Sequence, residues 1–358
     1  MPANTRDTVR SLSDCINIAT RSVHSKLNKL VIFRLPLALP PQADDASQYV
    51  SGLLHVAPIY IAFESLWKKM LDLPEPVADF NKEENTHACT ACDPTAPQPK
   101  TQFLRSSSDA SPVASIRIRS LLANLHFEGL QRSQALQKDI TSLTRWSSRT
   151  LAEQLNGAAE SPVLSDFLNH IKNSVETSPH VLLAYAWVLY MALFSGGRFI
   201  RASLEDIYPE FWVPASAQQQ TTATLTVPNG ADTSDVSIRP LNFFRFDTLE
   251  DGEDLKLAFK KRLVESESVL TGPERDDIVQ EARCIFDFMV RLVGELDDIC
   301  GTDEEAAESR LLSLRSRDSV VVEKERRQQF AETARKVAEE AKIERGLRDG
   351  GEGHVKFR

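Results

Sequence analysis

Unbroken apolar runs are short in this sequence. The most apolar one, from His180 to Ser195, encloses fourteen apolar or aromatic residues, fewer than the roughly 20 that a membrane-spanning helix needs. No apolar segment follows Met1, so no signal peptide is expected. Cysteine is sparse as well: five residues at irregular spacing make no disulfide framework and fit a reducing compartment. There is no internal repeat and no excess of basic charge. A net charge of −9 argues against nucleic acid or an anionic membrane as partner. These absences imply a soluble, cytoplasmic protein without a membrane span. With 42% hydrophobic residues in 358, the chain can build one large core or two ordinary ones.

Helical periodicity fills most of the chain. Val9, Leu12, Ile16, Ala19, Val23, Leu27 and Leu30 recur at steps of three and four, one face of an amphipathic helix, with Asp7 and Ser13 near its start. His24 stands at the edge of that stripe, either a satisfied structural residue or a ligand. After Pro36, Pro40 and Pro41 the pattern resumes from Ser47 to about Leu73, with Pro58 implying a kink or restart. Residues 74–112 lose periodicity and read as a surface insertion. They carry His87 and Cys89-Thr-Ala-Cys92, half of a zinc pattern with no second pair to complete it. Helical spacing returns over 114–158 and from Pro162 to Val175. Residues 208–240 read as a second loop-rich insertion, in which Ala223–Val227 is a possible short strand. Helices are expected again over Lys256–Ser268 and from Thr271 through Leu296. The compact domain is therefore expected over about 8–300 and is almost wholly α-helical. The charged tail, 301–358, reads as a solvated helix with a disordered end, or as a coiled-coil segment for a helical partner.

The run from His180 onward is apolar on every side, so it predicts a helix buried all round. Gly196 and Gly197 sit inside it, although each glycine costs a helix about 1 kcal/mol relative to alanine. Two reasons remain open. The glycines allow close helix packing or a kink, or they leave bare backbone against which a flat ligand lies.

Several segments, taken in order, resemble the heme oxygenases. Ala19-Thr-Arg-Ser-Val-His24 is similar to the family's proximal helix, and Pro58-Ile-Tyr60-Ile-Ala-Phe-Glu64 to its second helix. Gln131–Asp139 resembles the middle Arg…Ala-Leu…Asp segment, and Leu193-Phe-Ser-Gly-Gly197 the distal helix. Phe243-Phe-Arg-Phe246, Lys256…Lys260-Lys-Arg262, Leu270-Thr271, Glu281-Ala282 and Glu295-Leu296 follow in order. The resemblance implies an all-α heme oxygenase-like bundle in which His24 binds the heme iron. It also implies that Gly196 and Gly197 admit the distal face and that Tyr60 and Ser195 serve the distal side. Lys256 and Lys260, with Arg21 as a further candidate, would pair with the propionates; a shift in register would substitute Arg262.

The implied reaction is cleavage of heme to biliverdin, carbon monoxide and ferrous iron. It uses O2 and electrons from an NADPH-dependent, cytochrome P450 reductase-type donor. The sequence departs from the family on the distal side. Ala192-Leu193 replaces a Gly-Asp pair whose aspartate holds a water network, Leu189 replaces an arginine of that network, and Asn17 replaces a basic residue before the proximal region. Ser195, Tyr60 or a carboxylate such as Glu64 is the expected substitute if the reaction is kept. The alternatives are a heme-binding sensor or carrier that does not open the ring, and a helical interaction scaffold.

Overall fold

The structure, a computed structural model, describes residues 10–72, 112–214 and 239–301. The Cys89–Cys92 segment, most of both expected insertions, the Ala223–Val227 fragment and the charged tail lie outside these residues. The chain divides into two compact units, Met1–Leu296 and Asp297–Arg358; the core and the site belong to the first.

Among the described residues the fold is all α-helical. In chain order the helices are α1 (Leu12–Arg34), α2 (Ser47–Asp72), α3 (Pro112–Leu125), α4 (Ser133–Thr144), α5 (Ser148–Ala159) and α6 (Pro162–Thr177). The helical run Pro179–Glu205 follows as α7, then α8 (Glu253–Ser266) and α9 (Gly272–Cys300). Helix α2 lies at the centre, packed against α3, α4, α5, α6 and the start of α7. It runs through Pro58 without restarting, although proline lacks the N–H that would bond back along the helix.

Helix α7 is longer than its unbroken apolar stretch, because the helix continues across both glycines to Glu205. By length and hydropathy, α2 and α7 could each cross a membrane. However, 56% and 78% of their most apolar windows are buried inside the fold, as expected of core helices. Every residue from Val181 to Tyr190 is buried. Two π turns, Ala186–Tyr190 and Leu193–Gly197, interrupt the α pattern of α7.

Remote carboxylates hold the bundle together by capping helix N-termini, where backbone N–H groups lack partners. Glu64 of α2 accepts from the N–H groups of Arg132 and Ser133 at the start of α4, at 2.7 and 3.1 Å. Asp139 accepts from those of Asn242 and Phe243 at 3.0 and 2.8 Å. Glu295 of α9 caps α6 through Val163 and Leu164. Glu267 accepts from Leu12 at the start of α1 at 2.9 Å, and Ser11 caps the same helix. Glu64, Asp139 and Glu295 all fall within the family-like segments, and their positions show a structural reason for being acidic.

Candidate functional site

Helix α1 is anchored at its N-terminal half and stands off beyond it. Leu12, Ile16 and Thr20 are buried, whereas Val23 and Leu27 are only half-buried. Asn17 accepts a hydrogen bond from the Trp187 indole at 3.3 Å. Further along, the Asn28 carboxamide oxygen lies 4.0 Å from where a Cβ on Gly196 would stand. These two approaches place α1 alongside α7, both chains running the same way. His24, one turn before Asn28 on the same face, therefore lies opposite the stretch of α7 just before Gly196.

That stretch of α7 turns an open stripe outward. Ala192, Ser195, Phe199 and Ala202 are exposed, at the three- and four-residue steps of one helix face. Gly196 sits beside them, half-buried. Phe199 is 60% exposed, an unusual position for a large aromatic ring next to a core helix. The two glycines differ. A Cβ on Gly196 would meet only Asn28, whereas one on Gly197 would touch Leu193 and the Ala192 carbonyl, each at 3.4 Å. Gly197 thus faces into its π turn, where a methyl group would meet its neighbours at ordinary contact distance, and Gly196 presents bare backbone toward α1.

His24 is exposed, its ring edge-on to Phe286 of α9 at 5.4 Å. Among the described residues nothing hydrogen-bonds to either of its ring nitrogens, so the imidazole is available as a ligand. Arg21, one turn earlier, is exposed too. Lys260 lies over the Trp187 ring at 5.7 Å, with no carboxylate partner among the described residues. Lys256 is already paired, 2.7 Å from Glu253, which Arg198 also reaches at 3.0 Å. The Lys256 hydrogen bond holds the Glu253 carboxyl below its usual range. Arg262, the alternative in a shifted register, turns away to the Asn124 carbonyl and the Phe127 ring.

The remaining distal-side candidates are not brought to the open stripe. Tyr60 is buried and donates its hydroxyl to the Leu189 carbonyl at 2.9 Å; burial pushes its ionisation far above the usual range. Glu64 is buried at the start of α4, where the Tyr190 hydroxyl also reaches it at 3.2 Å. Leu193 and Leu189, at the family's aspartate and arginine positions, are buried as well. Ser195 alone of the expected polar groups lies on the stripe. Its hydroxyl hydrogen can go to the Met191 or Ala192 carbonyl, at 3.3 and 3.4 Å, which leaves the oxygen free to accept.

Asn28 and Phe199 were not singled out from the sequence. The signal for Asn28 was its position one turn beyond His24. Nothing local marks Phe199, whose exposure depends on how far α1 stands from α7.

The family model described as heme oxygenase matches residues 113–295, just over half of the chain. The chain belongs to the heme oxygenase family. Within that family it is 24% identical over 300 residues to heme-binding protein HMX1 of Saccharomyces cerevisiae, covering 81% of this chain and 77% of the relative. It is also 24% identical over 177 residues to a heme oxygenase of Guillardia theta, covering 49% of this chain and 61% of that one. The fold is similar to heme oxygenase-2 from Synechocystis, solved with heme and NO. The TM-score is 0.51 at 14% identity, covering 84% of this chain and 91% of that one. Where α1 and α7 run alongside one another, the chain carries groups of the kinds that a heme requires. Such a group needs an uncommitted ligand for its iron, room for close backbone approach and apolar surroundings, which His24, Gly196 and Phe199 would offer.

Proposed function

We propose that this heme oxygenase family member binds heme between α1 and α7 and cleaves it to biliverdin, carbon monoxide and ferrous iron. The reaction would use O2 and electrons from an NADPH-dependent, P450 reductase-type donor. The observation that carries the reading is the free imidazole of His24 opposite the exposed small-residue stripe at Gly196. Bound heme supplies the redox chemistry and the site at which O2 is activated. The chain's own part is to hold and orient it. His24 would hold the iron, a role to which a neutral imidazole is suited. Gly196 would let the backbone lie close to the bound ring, having no Cβ to hold it off. Lys260 and Arg21, which have no carboxylate partner among the described residues, would supply cations for the propionates, while Lys256 must first share Glu253. Ser195 accepts a hydrogen bond from water beside Gly196 and so stands in for the carboxylate absent at Leu193.

A second reading, heme binding without ring opening, is favoured by one specific observation. The other substitutes for the missing distal aspartate, Tyr60 and Glu64, are buried and already bonded. Single-turnover absorbance of the hemin-loaded protein, in air with a reductase and catalase, separates the two. Decay of the Soret band with growth of a biliverdin band supports cleavage; a stable Soret band replaces it with the binding reading. His24→Ala is expected to weaken hemin binding tenfold or more and to change its spectrum, with helical circular dichroism intact. Unchanged affinity and spectrum in that variant would remove His24 from the site.

A further inference from the structure

A second group of ligand-type side chains lies away from the Gly196 stripe, where α6 meets α9. Glu281 and Cys284 are three residues apart on α9 and so share one face; α6 brings His170 against them. One ligand atom from each residue lies within 4.8 Å of the other two. In a tetrahedral zinc site, with bonds of about 2.0–2.3 Å, ligand atoms stand roughly 3.3–3.8 Å apart. The His170 Nε2–Glu281 Oε1 pair, at 2.9 Å, opens slightly and the Cys284 sulfur moves in by about 1 Å to close the set, both within reach of small side-chain rotations.

Two further observations point to a cation. The Glu281 carboxylate is buried, and its partners are the Tyr185 hydroxyl and, at 2.9 Å, His170 Nε2. Among the described residues no lysine or arginine pairs with it, and a buried carboxylate without a positive partner is costly. The donor set is also already oriented from outside. Phe288, stacked on Phe167 at 4.7 Å, flanks the His170 ring at 5.1 Å. Tyr185, fully buried on α7, fixes the carboxylate, as outer hydrogen bonds do around bound metals. His170 and Cys284 are half-exposed, which leaves a path for the ion and for a water ligand.

We propose that His170, Glu281 and Cys284 form a binding site for a borderline divalent cation of the Zn2+ type, clipping α6 to α9. Imidazole and thiolate together select such a metal over Mg2+ or Ca2+. Binding deprotonates the Cys284 thiol and requires neutral His170, so protons are released to solvent. The competing account is a protonated His170 that neutralises Glu281 by itself, with Cys284 a bystander. The proposal does not depend on heme binding.

Co2+ titration of the full-length chain carrying Cys89→Ser and Cys92→Ser, which removes the other paired thiols, tests the site. The expected result is one equivalent bound with a thiolate-to-cobalt charge-transfer band, displaced by Zn2+. Cys284→Ser in that background should abolish the band, and His170→Gln should weaken binding at least tenfold, both with unchanged circular dichroism. Absence of the band, or its persistence in Cys284→Ser, would overturn the site in favour of the His170–Glu281 ion pair.

Discussion

Glu64, Arg132 and Asp139 form a polar knot inside the bundle whose bonding capacity is used up, whereas His24, Arg21 and Ser195 stand on a face where it is mostly free. Arg132 shows the first condition most fully. It is buried, donates to the carbonyls of Gly129, Leu130, Gln131 and Arg245, and lies 4.2 Å over the Phe246 ring. Asp139 accepts from two backbone amides and from the Asn242 side chain; burial still raises its carboxyl above the usual range. Both groups fall in segments that resemble the heme oxygenases. The difference teaches that a family motif mixes two kinds of residue, fasteners that make the bundle and groups left open to bind.

Substitutions that separate stability from heme binding put this division at risk. The largest effect is expected from Arg132→Ala, which takes a buried cation away from four carbonyls and Phe246 but keeps the backbone N–H that Glu64 accepts from. A loss of about 3–5 kcal/mol in urea unfolding is expected; a loss under about 1 kcal/mol would mean that the knot does not fasten the bundle. Next is the acid limb of stability. Burial alone would raise the Glu274 carboxyl, but hydrogen bonds from Arg117 and Thr271 bring it to about 2 from its usual 4.5. A carboxyl depressed in the folded state stabilises above its unfolded pKa, and this contribution fades as pH falls from about 4.5 through 2. Roughly 1–2 kcal/mol should be lost over that window, and Glu274→Gln should flatten it. Smaller still is Tyr60→Phe, expected to cost about 1 kcal/mol for the bond to Leu189 while leaving the hemin Soret band in place. A shifted Soret band there would move Tyr60 from the fasteners to the open face. His24→Ala is expected to change stability by less than about 0.5 kcal/mol, which completes the contrast with its effect on hemin.

Much of this was legible in the sequence, because periodicity reports which face of a helix is buried. Helix α1 and the buried run from Val181 show through their apolar spacing alone, and the Gly196-Gly197 pair marks the place where α7 changes character. What could not be read is long-range. Glu64 meets Arg132, and Asp139 meets Asn242, across 68 and 103 residues; only the presence of a lone acid in an apolar stretch hints that distant donors await it. The two lysines of α8 look alike by spacing, yet Glu253 pairs with Lys256, while Lys260 has no carboxylate partner among the described residues. Likewise the glycines are neighbours in sequence and differ in task, since which of them faces α1 depends on the local helical phase.

That phase is set by the two π turns of α7. Each adds about one residue to a turn, and one residue corresponds to about 100° of rotation and 1.5 Å of rise. The first turn lies in the fully buried half of the helix and the second at Leu193–Gly197, so together they act as a phase shifter between a core-facing sequence and a solvent-facing one. A chain shortened by one residue within either turn would lose one residue of α7 and close that turn as an ordinary α turn. Phe199 and everything beyond it would then keep their facing, whereas the same deletion in an ordinary α turn would swing them by roughly a quarter of a revolution. The register of this helix, more than the identity of any one side chain on it, decides that a bare-backbone surface lies opposite His24.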